Sequence, residues 1–208
     1  PANFPVMTLA TLDLEGVLIP EIWIAFAEAS GISELRLTTR DEPDYDKLMR
    51  YRLGILDSHN VKIADIQNVI GQMEPLEGAR EFLDWLKGEG RVVILSDTFE
   101  QFAKPLMAKL GYPSLFCHSL EIEDGGRISG YKLRISDQKR KSVEAFKSLN
   151  FNVVASGDSY NDLSMLRAAD KAVLYRPTEK FAKENSDLPT AENYAQLKEK
   201  FTELSKNL

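Results

Sequence analysis

Short, continuous apolar runs that alternate with helical patterns constrain the fold of this chain more than any other feature. The runs cover residues 6–12, 91–95, 151–155 and 171–175. Because they are apolar throughout rather than at every second position, they are typical of strands buried on both faces of a parallel sheet. Between the second and third runs, apolar residues recur at helical spacing over 101–110 and 142–149. The alternation predicts a Rossmann-like, doubly wound α/β core with a parallel sheet.

Residues 20–74 follow a different pattern, with three helical stretches and no convincing strand between them. Pro20 suits the start of a helix and Gly31 suits the end of one. This pattern predicts a helical cap inserted into the core. We therefore assign residues 1–19 and 75–208 to the catalytic core and residues 20–74 to the cap.

Two further elements are predicted downstream of the cap. A glycine-rich turn at 124–126 separates apolar runs at 116–122 and 128–133, which indicates a small β-hairpin that projects from the core. Apolar residues at 3-4-3 spacing over 194–204 predict an amphipathic helix that covers the sheet.

Composition narrows the class of protein. With 208 residues and 43% hydrophobic content, the chain is long enough for one full core and a modest subdomain. A net charge of -6 argues against a nucleic-acid-binding surface. Cys117 has no partner for an internal disulfide, and His59 and His118 lack zinc-ligand spacing. No apolar run reaches the roughly 18 residues of a membrane span, so we expect a soluble cytoplasmic protein.

Polar residues follow three of the predicted strands, at the point where each strand ends. Asp13 follows the first, Ser96, Asp97 and Thr98 follow the second, and Asp158 follows the third. Ligands of open parallel sheets bind outside the carboxyl ends of the strands, so these side chains should converge on one crevice. A single carboxylate there could be only a helix N-cap, but three such endings and a lysine before a following helix indicate a site.

Several carboxylates, a hydroxyl and a lysine in one crevice suit phosphoryl transfer through an acyl phosphate. Asp13 would be the nucleophile. A magnesium ion held by Asp13 and Asp158 would neutralise the carboxylate and the phosphate together. Ser96 would donate to a phosphate oxygen, and Lys139 would supply a fixed positive charge.

Three further residues belong to this predicted site. Glu15, two residues beyond Asp13, is placed to act as the general acid and base. Asp162 would support the metal as a ligand or as a hydrogen-bond acceptor behind it, with a helix-dipole carboxylate as the alternative. Asn161 would orient Ser96, Lys139 or the phosphate.

These segments resemble, in order, the signature motifs of haloacid dehalogenase superfamily phosphatases. The matching segments are Asp13-Leu14-Glu15-Gly16-Val17, Ser96-Asp97-Thr98, Lys139 and Gly157-Asp158-Ser159-Tyr160-Asn161-Asp162. The whole chain is similar to the phosphoserine phosphatase branch. Within that branch it resembles the ThrH-type members, which are described as also having phosphoserine:homoserine phosphotransferase activity. Residues 13–17, 20–27 and 95–99 carry that similarity.

The resemblance implies roles for individual residues. Asp13 would be the nucleophile, Glu15 the acid and base, and Asp13, Asp158 and the Glu15 carbonyl the magnesium ligands. Ser96 and Lys139 would bind phosphate, and the family spacing favours Lys139 over the alternative Lys141. Glu21 and Arg52 would bind the amine and the carboxylate of phosphoserine, and Asp97 and Thr98 would belong to the substrate site.

The sequence departs from the family pattern at two places. Most family members have Asp where Glu15 stands, although the ThrH-type members share the Glu. Ser96-Asp97-Thr98 replaces the Ser-Gly-Gly of ordinary phosphoserine phosphatases, so backbone contacts there do not transfer directly.

Alternatives stay open at this stage. The same site could pass phosphate to homoserine or another alcohol rather than to water, or act on another small phosphate ester. A receiver-like signalling module would share the Asp, Ser/Thr and Lys groups, but it would be shorter and would lack the insertion after the first strand. The expected partners are small molecules rather than nucleic acid or membrane, and the oligomeric state is open, a homodimer included.

Overall fold

Strands and helices alternate along the chain in a computed structural model, which describes residues 4, 5 and 7–208. The strands in this part of the chain are β1 Thr8–Leu12, β2 Arg91–Phe99, β3 Ser114–Ile122, β4 Ile128–Lys132, β5 Asn152–Gly157, β6 Lys171–Tyr175 and β7 Thr190–Ala191. The α-helices are α1 Ile22–Ser30, α2 Tyr45–Ser58, α3 Ile63–Gln72, α4 Ala79–Glu89, α5 Glu100–Met107, α6 Gln138–Ser148, α7 Leu163–Ala168, α8 Glu179–Glu184 and α9 Tyr194–Ser205. Two 3-10 helices, Ser33–Arg36 and Tyr160–Asp162, complete the list.

The strands form one sheet in the order β4-β3-β2-β1-β5-β6-β7. Neighbouring strands are parallel except for the antiparallel pair β3 and β4. Strand β1 lies in the middle of the sheet and later strands are added on both sides of it, so the predicted doubly wound α/β core is confirmed. The change of direction at β1 places a crevice at the carboxyl ends of β1, β2 and β5.

Apolar side chains of the central strands point alternately to two clusters, one on each face of the sheet. Val153 and Ala155 of β5 belong to a cluster with Phe181 of α8. Val154, between them, belongs to the other cluster, with Phe82 of α4 and Phe201 of α9. Successive residues of a strand face opposite sides, so a continuous apolar run is what a sheet covered by helices on both faces requires.

Residues 20–74 are all described, and they contain three α-helices and one 3-10 helix but no strand. Trp23 of α1 packs edge-on against Phe102 of α5, with ring centroids 5.3 Å apart. Tyr45 of α2 packs against Tyr131 of β4, with ring centroids 5.8 Å apart. These contacts hold the helical segment over the end of the sheet where β1 and β2 terminate.

The structure changes the predicted bounds of several elements. The strand predicted over 6–12 is β1 from Thr8, and Val6 lies outside the described residues. Strand β2 runs on to Phe99 instead of ending at residue 95, with an irregular register toward β3 from Leu95 to Phe99. Strand β3 pairs with β2 from Ser114 to His118 and with β4 from Ser119 to Ile122, so the predicted β-hairpin extends from the edge strand of the parallel sheet.

Helix α6 also differs from the prediction. It begins at Gln138, four residues before the predicted start at 142, so Lys139 lies in its first turn. No helix in the described part of the chain combines the length and the apolar character that a membrane span requires.

Candidate active site

The ends of β1 and β5 bring three acidic residues together. Asp13 follows β1 directly, and its backbone N–H donates to the Ser156 carbonyl of β5 at 3.0 Å. Asp158 follows β5 directly, and Asp162 closes the 3-10 helix behind it. One carboxylate oxygen from each of Asp13, Asp158 and Asp162 lies within 4.8 Å of the other two. The convergence predicted from the strand ends is therefore present in the structure.

Two glycines allow this close approach. Gly16 has a φ of +83°, and a Cβ at that position would lie 2.3 Å from an Asp158 carboxylate oxygen. A Cβ on Gly157 would lie 2.5 Å from the Asp162 side chain. Any larger residue at either position would have to displace a carboxylate of the cluster.

Lys139 reaches the acidic cluster from the first turn of α6. Its Nζ donates to Asp13 Oδ1 at 2.9 Å and to Asp162 Oδ1 at 2.6 Å, and only 2% of the residue is exposed. Lys141 instead donates to Ser136 Oγ at 3.1 Å, away from the cluster. Of the two candidate lysines, the structure places Lys139 in the site.

Burial of these groups shifts their proton affinities strongly. Burial and the neighbouring Asp162 raise the pKa of Asp13 well above its ordinary value, although Lys139 opposes this. Burial, Asp162 and Glu21 raise the pKa of Asp158 to about 8. Burial alone would lower the pKa of Lys139, but the carboxylates of Asp13 and Asp162 raise it well above the usual range. One ammonium thus balances an excess of carboxylate charge, a situation that favours an added cation.

The donor set of the cluster fits a magnesium ion. Mg²⁺ takes oxygen ligands and is held by one or two carboxylates together with substrate phosphate and water. Asp13 and Asp158 supply such oxygens, since both belong to the acidic cluster and both line the cavity. Asp162 is already committed, since its Oδ2 accepts from the backbone N–H groups of Asp158 at 2.9 Å and Ser159 at 3.2 Å.

Strand β2 contributes Ser96, Asp97 and Thr98 to the same cavity. Ser96 is buried, and its Oγ accepts from the Thr98 N–H at 3.2 Å while its own hydroxyl hydrogen stays available for a ligand. The Gln138 amide donates to the Ser96 carbonyl. Asn161 lines the cavity as predicted, but its side chain accepts from Ser159 Oγ at 2.5 Å rather than contacting Ser96 or Lys139.

His118, which was not among the predicted site residues, is part of this region. It is 3% exposed, and its Nε2 lies 3.1 Å from Asp97 Oδ1. The backbone N–H of Arg134 donates to Nδ1 at 3.0 Å. Because that N–H can only donate, Nδ1 must accept, and Nε2 carries the hydrogen that binds Asp97.

The pKa of Asp97 is lowered to about 2 by this environment. Burial by itself would raise the pKa of Asp97. The combined effect of Lys139, His118 and Gln138 in the opposite direction is larger, so the net shift is downward. Asp97 therefore stays ionised at neutral pH. The sequence contained no periodic signal for this network, because residues 97, 118 and 138 come from three different elements.

Glu15 faces the cap from the core side of the cavity. Its Oε1 accepts from the backbone N–H of Ile22 at 2.8 Å, which ties the loop after β1 to the start of α1. Burial and the nearby Glu21 raise the pKa of Glu15 to about 7, although the hydrogen bond from the Ile22 N–H and the charge of Arg52 both act to lower it. A carboxyl group with a pKa near neutrality is suited to giving and taking a proton.

Glu21 and Arg52 both line the cavity from the cap. Arg52 is 6% exposed, its Nη2 donates to the Leu37 carbonyl at 2.8 Å, and its guanidinium lies 4.5 Å from the ring centroid of Trp23. Burial lowers the pKa of Arg52 to about 10, so it remains charged at neutral pH. The two residues predicted to bind an amine and a carboxylate are thus on the same side of one cavity.

Sequence reasoning missed Arg40 and Tyr45, which also line the cavity. Arg40 Nη2 lies 3.4 Å from Asp158 Oδ2, and the Tyr45 hydroxyl donates to the Asp97 carbonyl at 2.8 Å. Arg40 lies between the 3-10 helix Ser33–Arg36 and α2, and Tyr45 is the first residue of α2. The sequence there shows no periodicity that would mark either side chain as directed inward.

Comparison with known proteins now identifies the family. The model of the haloacid dehalogenase-like hydrolase family matches residues 12–167. The chain belongs to this family. Phosphoserine phosphatase ThrH of Pseudomonas aeruginosa is 55% identical over 199 residues, which cover 96% of this chain and 97% of the relative. Phosphoserine phosphatase of Pseudomonas syringae pv. tomato is 53% identical over 197 residues, which cover 95% of this chain and 83% of the relative.

A solved structure supports the fold. The structure described as a phospho-aspartyl intermediate analogue of phosphoserine phosphatase has a TM-score of 0.75 and 22% identity, with 91% of this chain and 95% of that chain covered. The predicted resemblance to the phosphoserine phosphatase branch, the fold class and the assignment as a hydrolase are all confirmed.

Proposed function

We propose that the protein is a magnesium-dependent phosphoserine phosphatase that works through an aspartyl-phosphate on Asp13. One observation carries this proposal: Asp13, buried at the end of β1, lies beside Lys139 and within a cluster of acidic oxygens. The names of the relatives at 55% and 53% identity support phosphoserine as the substrate.

The cap supports recognition of an amino-acid headgroup. Phosphoserine carries an ammonium and a carboxylate beside its phosphate, so a matching cleft needs an anion and a cation away from the reacting carboxylates. Glu21 and Arg52 meet that need, and an arginine grips a carboxylate through two parallel hydrogen bonds. We propose that Glu21 binds the amine, that Arg52 binds the carboxylate, and that Asp97 and Thr98 line the substrate site.

In the first step, an Asp13 oxygen forms a bond to phosphorus as the bond from phosphorus to the serine oxygen breaks. Glu15 gives its proton to the departing serine oxygen. Lys139 and the Ser96 hydroxyl bind the phosphoryl oxygens as charge spreads over them. Asp162 holds Lys139 in position through its 2.6 Å contact.

In the second step, Glu15 takes a proton from the attacking water while the water oxygen forms a bond to phosphorus and the bond to Asp13 breaks. Inorganic phosphate leaves and the Asp13 carboxylate is restored. Asn161, at the cavity wall, is placed to orient the phosphate.

The proposed metal ligands are Asp13, Asp158 and the Glu15 carbonyl, with Asp162 completing the acidic cluster. When bound, Mg²⁺ neutralises charge on Asp13 and on the phosphate so that the two anions can approach.

Transfer of the phosphoryl group to homoserine is an extension of this proposal. Glu15 and Asp97, where ordinary phosphoserine phosphatases have Asp and Gly, support it, because these are features of the ThrH-type motif.

We also propose residues 20–74 as the cap domain and residues 1–19 and 75–208 as the core. We propose a cytoplasmic location as well, which suits the single buried Cys117.

A product assay tests the proposal. The purified protein is given phosphoserine with and without Mg²⁺, and with water alone or with homoserine present. We expect free phosphate and serine only when Mg²⁺ is present, and phosphohomoserine in addition when homoserine is supplied. Turnover of an aryl phosphate without turnover of phosphoserine would instead favour another small phosphate ester as the substrate.

A further inference from the structure

Arg40 is presented to the cleft by a turn with a defined hydrogen-bond pattern. Asp41 Oδ2 accepts from the Thr38 N–H at 2.8 Å and from the Thr38 hydroxyl at 3.2 Å. Thr38 Oγ1 in turn accepts from the Arg40 N–H at 3.2 Å. An aspartate that binds backbone groups in this way holds a turn in one conformation. The position of the Arg40 backbone is therefore set by its own loop.

The Arg40 guanidinium lies on the phosphoryl side of the cavity. Its Nη2 is 3.4 Å from Asp158 Oδ2, in the acidic cluster that contains Asp13. Arg40 also lines the cavity together with Asp13 and Ser96, the proposed nucleophile and phosphate ligand. Arg52 approaches the cavity from Trp23 and Leu37 instead.

Arg40 has fewer hydrogen-bond partners than the other two cations near the cavity. Lys139 is bound to Asp13 and Asp162, and Arg52 is bound to the Leu37 carbonyl and stacked on Trp23. Among the described residues, the Arg40 side chain has one hydrogen-bond partner, Asp158 at a long 3.4 Å, and 47% of it is exposed. Its charge also acts on Glu21, whose pKa it lowers against the effect of burial.

A phosphate group in the cleft would be stabilised by a further cation beside Lys139 and the proposed Mg²⁺. A phosphate monoester brings about two negative charges at neutral pH and three acceptor oxygens. It would enter a cluster of three acidic residues, Asp13, Asp158 and Asp162, in which Lys139 is the cation paired with two of them. A guanidinium is always charged, and its planar fork matches two phosphate oxygens.

We propose that the Arg40 guanidinium contacts the transferring phosphoryl group, so that the cap supplies one of the catalytic cations. The inference rests on the proposed function only in that the site transfers a phosphoryl group. It assigns Arg40 to the reacting group rather than to the amino-acid headgroup. The cap then contributes to rate as well as to substrate choice.

Two substrates separate these roles in an Arg40→Ala variant. Phosphoserine has both a phosphate and an amino-acid headgroup, whereas p-nitrophenyl phosphate has only the phosphate. We expect kcat/KM to fall by about 10²-fold on both substrates, as for other removed donors to a transition-state charge. Inorganic phosphate, titrated calorimetrically into the magnesium-loaded protein, should bind more weakly.

Controls make the result specific. Arg36→Ala removes the same charge from the cap at an exposed pair with Glu28, and it should leave both activities unchanged. Arg40→Lys should retain part of the activity because it keeps the charge but loses the fork. Circular dichroism and thermal unfolding report whether each variant is folded.

Other outcomes contradict the inference. A loss confined to phosphoserine would make Arg40 a headgroup ligand, and unchanged kcat/KM on both substrates would leave it outside the reaction. If the wild-type protein hydrolyses p-nitrophenyl phosphate but not phosphoserine, the proposed substrate is wrong, while the Arg40 comparison can still be read on the aryl substrate.

Discussion

The core side and the cap side of the cleft differ in how deeply their polar groups are buried and in how many of them already have hydrogen-bond partners. On the core side, Asp13, Lys139 and Asp162 are at most 4% exposed, and Lys139 binds both carboxylates. On the cap side, Arg52 is buried, but Glu21 is partly exposed and the Arg40 side chain is 47% exposed. Buried groups that already hold one another in position favour the chemistry that is common to all phosphate esters. The more exposed groups of the cap keep donors and acceptors free to bind the rest of the substrate.

The largest effect should come from the nucleophile on the core side. Asp13→Asn removes the oxygen that would form the acyl phosphate, so we expect kcat/KM to fall by at least about 10³-fold on phosphoserine and on p-nitrophenyl phosphate alike. Thermal unfolding without Mg²⁺ should show no loss of stability, because burial and Asp162 already disfavour the charge on Asp13. A variant with near-normal turnover would rule out Asp13 as the nucleophile.

The close packing of the core side can be tested at Gly16. Gly16→Ala places a Cβ 2.3 Å from Asp158 Oδ2, and we expect about a 10²-fold loss of kcat/KM from the displaced carboxylate. Gly125 is the matched control, since its φ is +81° and a Cβ there meets nothing within 4 Å. Both variants should lose about 1–2 kcal/mol in urea unfolding from the left-handed conformation. Equal activity in the two variants would mean that the close contact between residue 16 and the Asp158 carboxylate does not affect turnover.

The cap side should show a smaller and more selective effect. Glu21→Gln weakens the proposed bond to the substrate amine, a charge-assisted contact whose loss should lower kcat/KM on phosphoserine by roughly 10-fold or more. Activity on p-nitrophenyl phosphate should be retained, because that substrate has no amine. Glu28→Gln, at an exposed position of helix α1, which begins directly after Glu21, is the control and should change neither activity. Equal losses on both substrates would place Glu21 with the chemistry instead.

The smallest effect should be a change in stability at Asp97, which lies between the two sides. Its pKa is about 2 in the folded protein and about 3.8 as an ordinary value, so its ionised form stabilises the fold above pH 4. This contribution is lost as the pH falls from about 4 through 2. Asp97→Asn should therefore lower the free energy of unfolding by up to about 2 kcal/mol at pH 7 and by less at pH 3. Urea unfolding at both pH values gives the comparison, and a difference that does not shrink at pH 3 contradicts it.

The parts of the site that could be predicted are those that adjoin a regular element. Asp13 and Asp158 were predictable because each follows a run of apolar residues, and parallel strands end at the same edge. Lys139 was predictable from family spacing, although its place in the first turn of α6 became evident only from the structure. His118 and Arg40 could not be predicted, because their partners lie 21 and 118 residues away along the chain.

The sequence by itself determined the layered α/β core and the positions along the chain where charged groups would leave the sheet. Both follow from local patterns, since the period of apolar residues selects strand or helix and a polar residue ends a buried run. Only the tertiary structure decided which polar side chains meet: Arg40 with Asp158, His118 with Asp97, and Lys139 with both Asp13 and Asp162. These pairings depend on how strands and helices pack, and long-range packing leaves no periodic trace in the residues that it brings together.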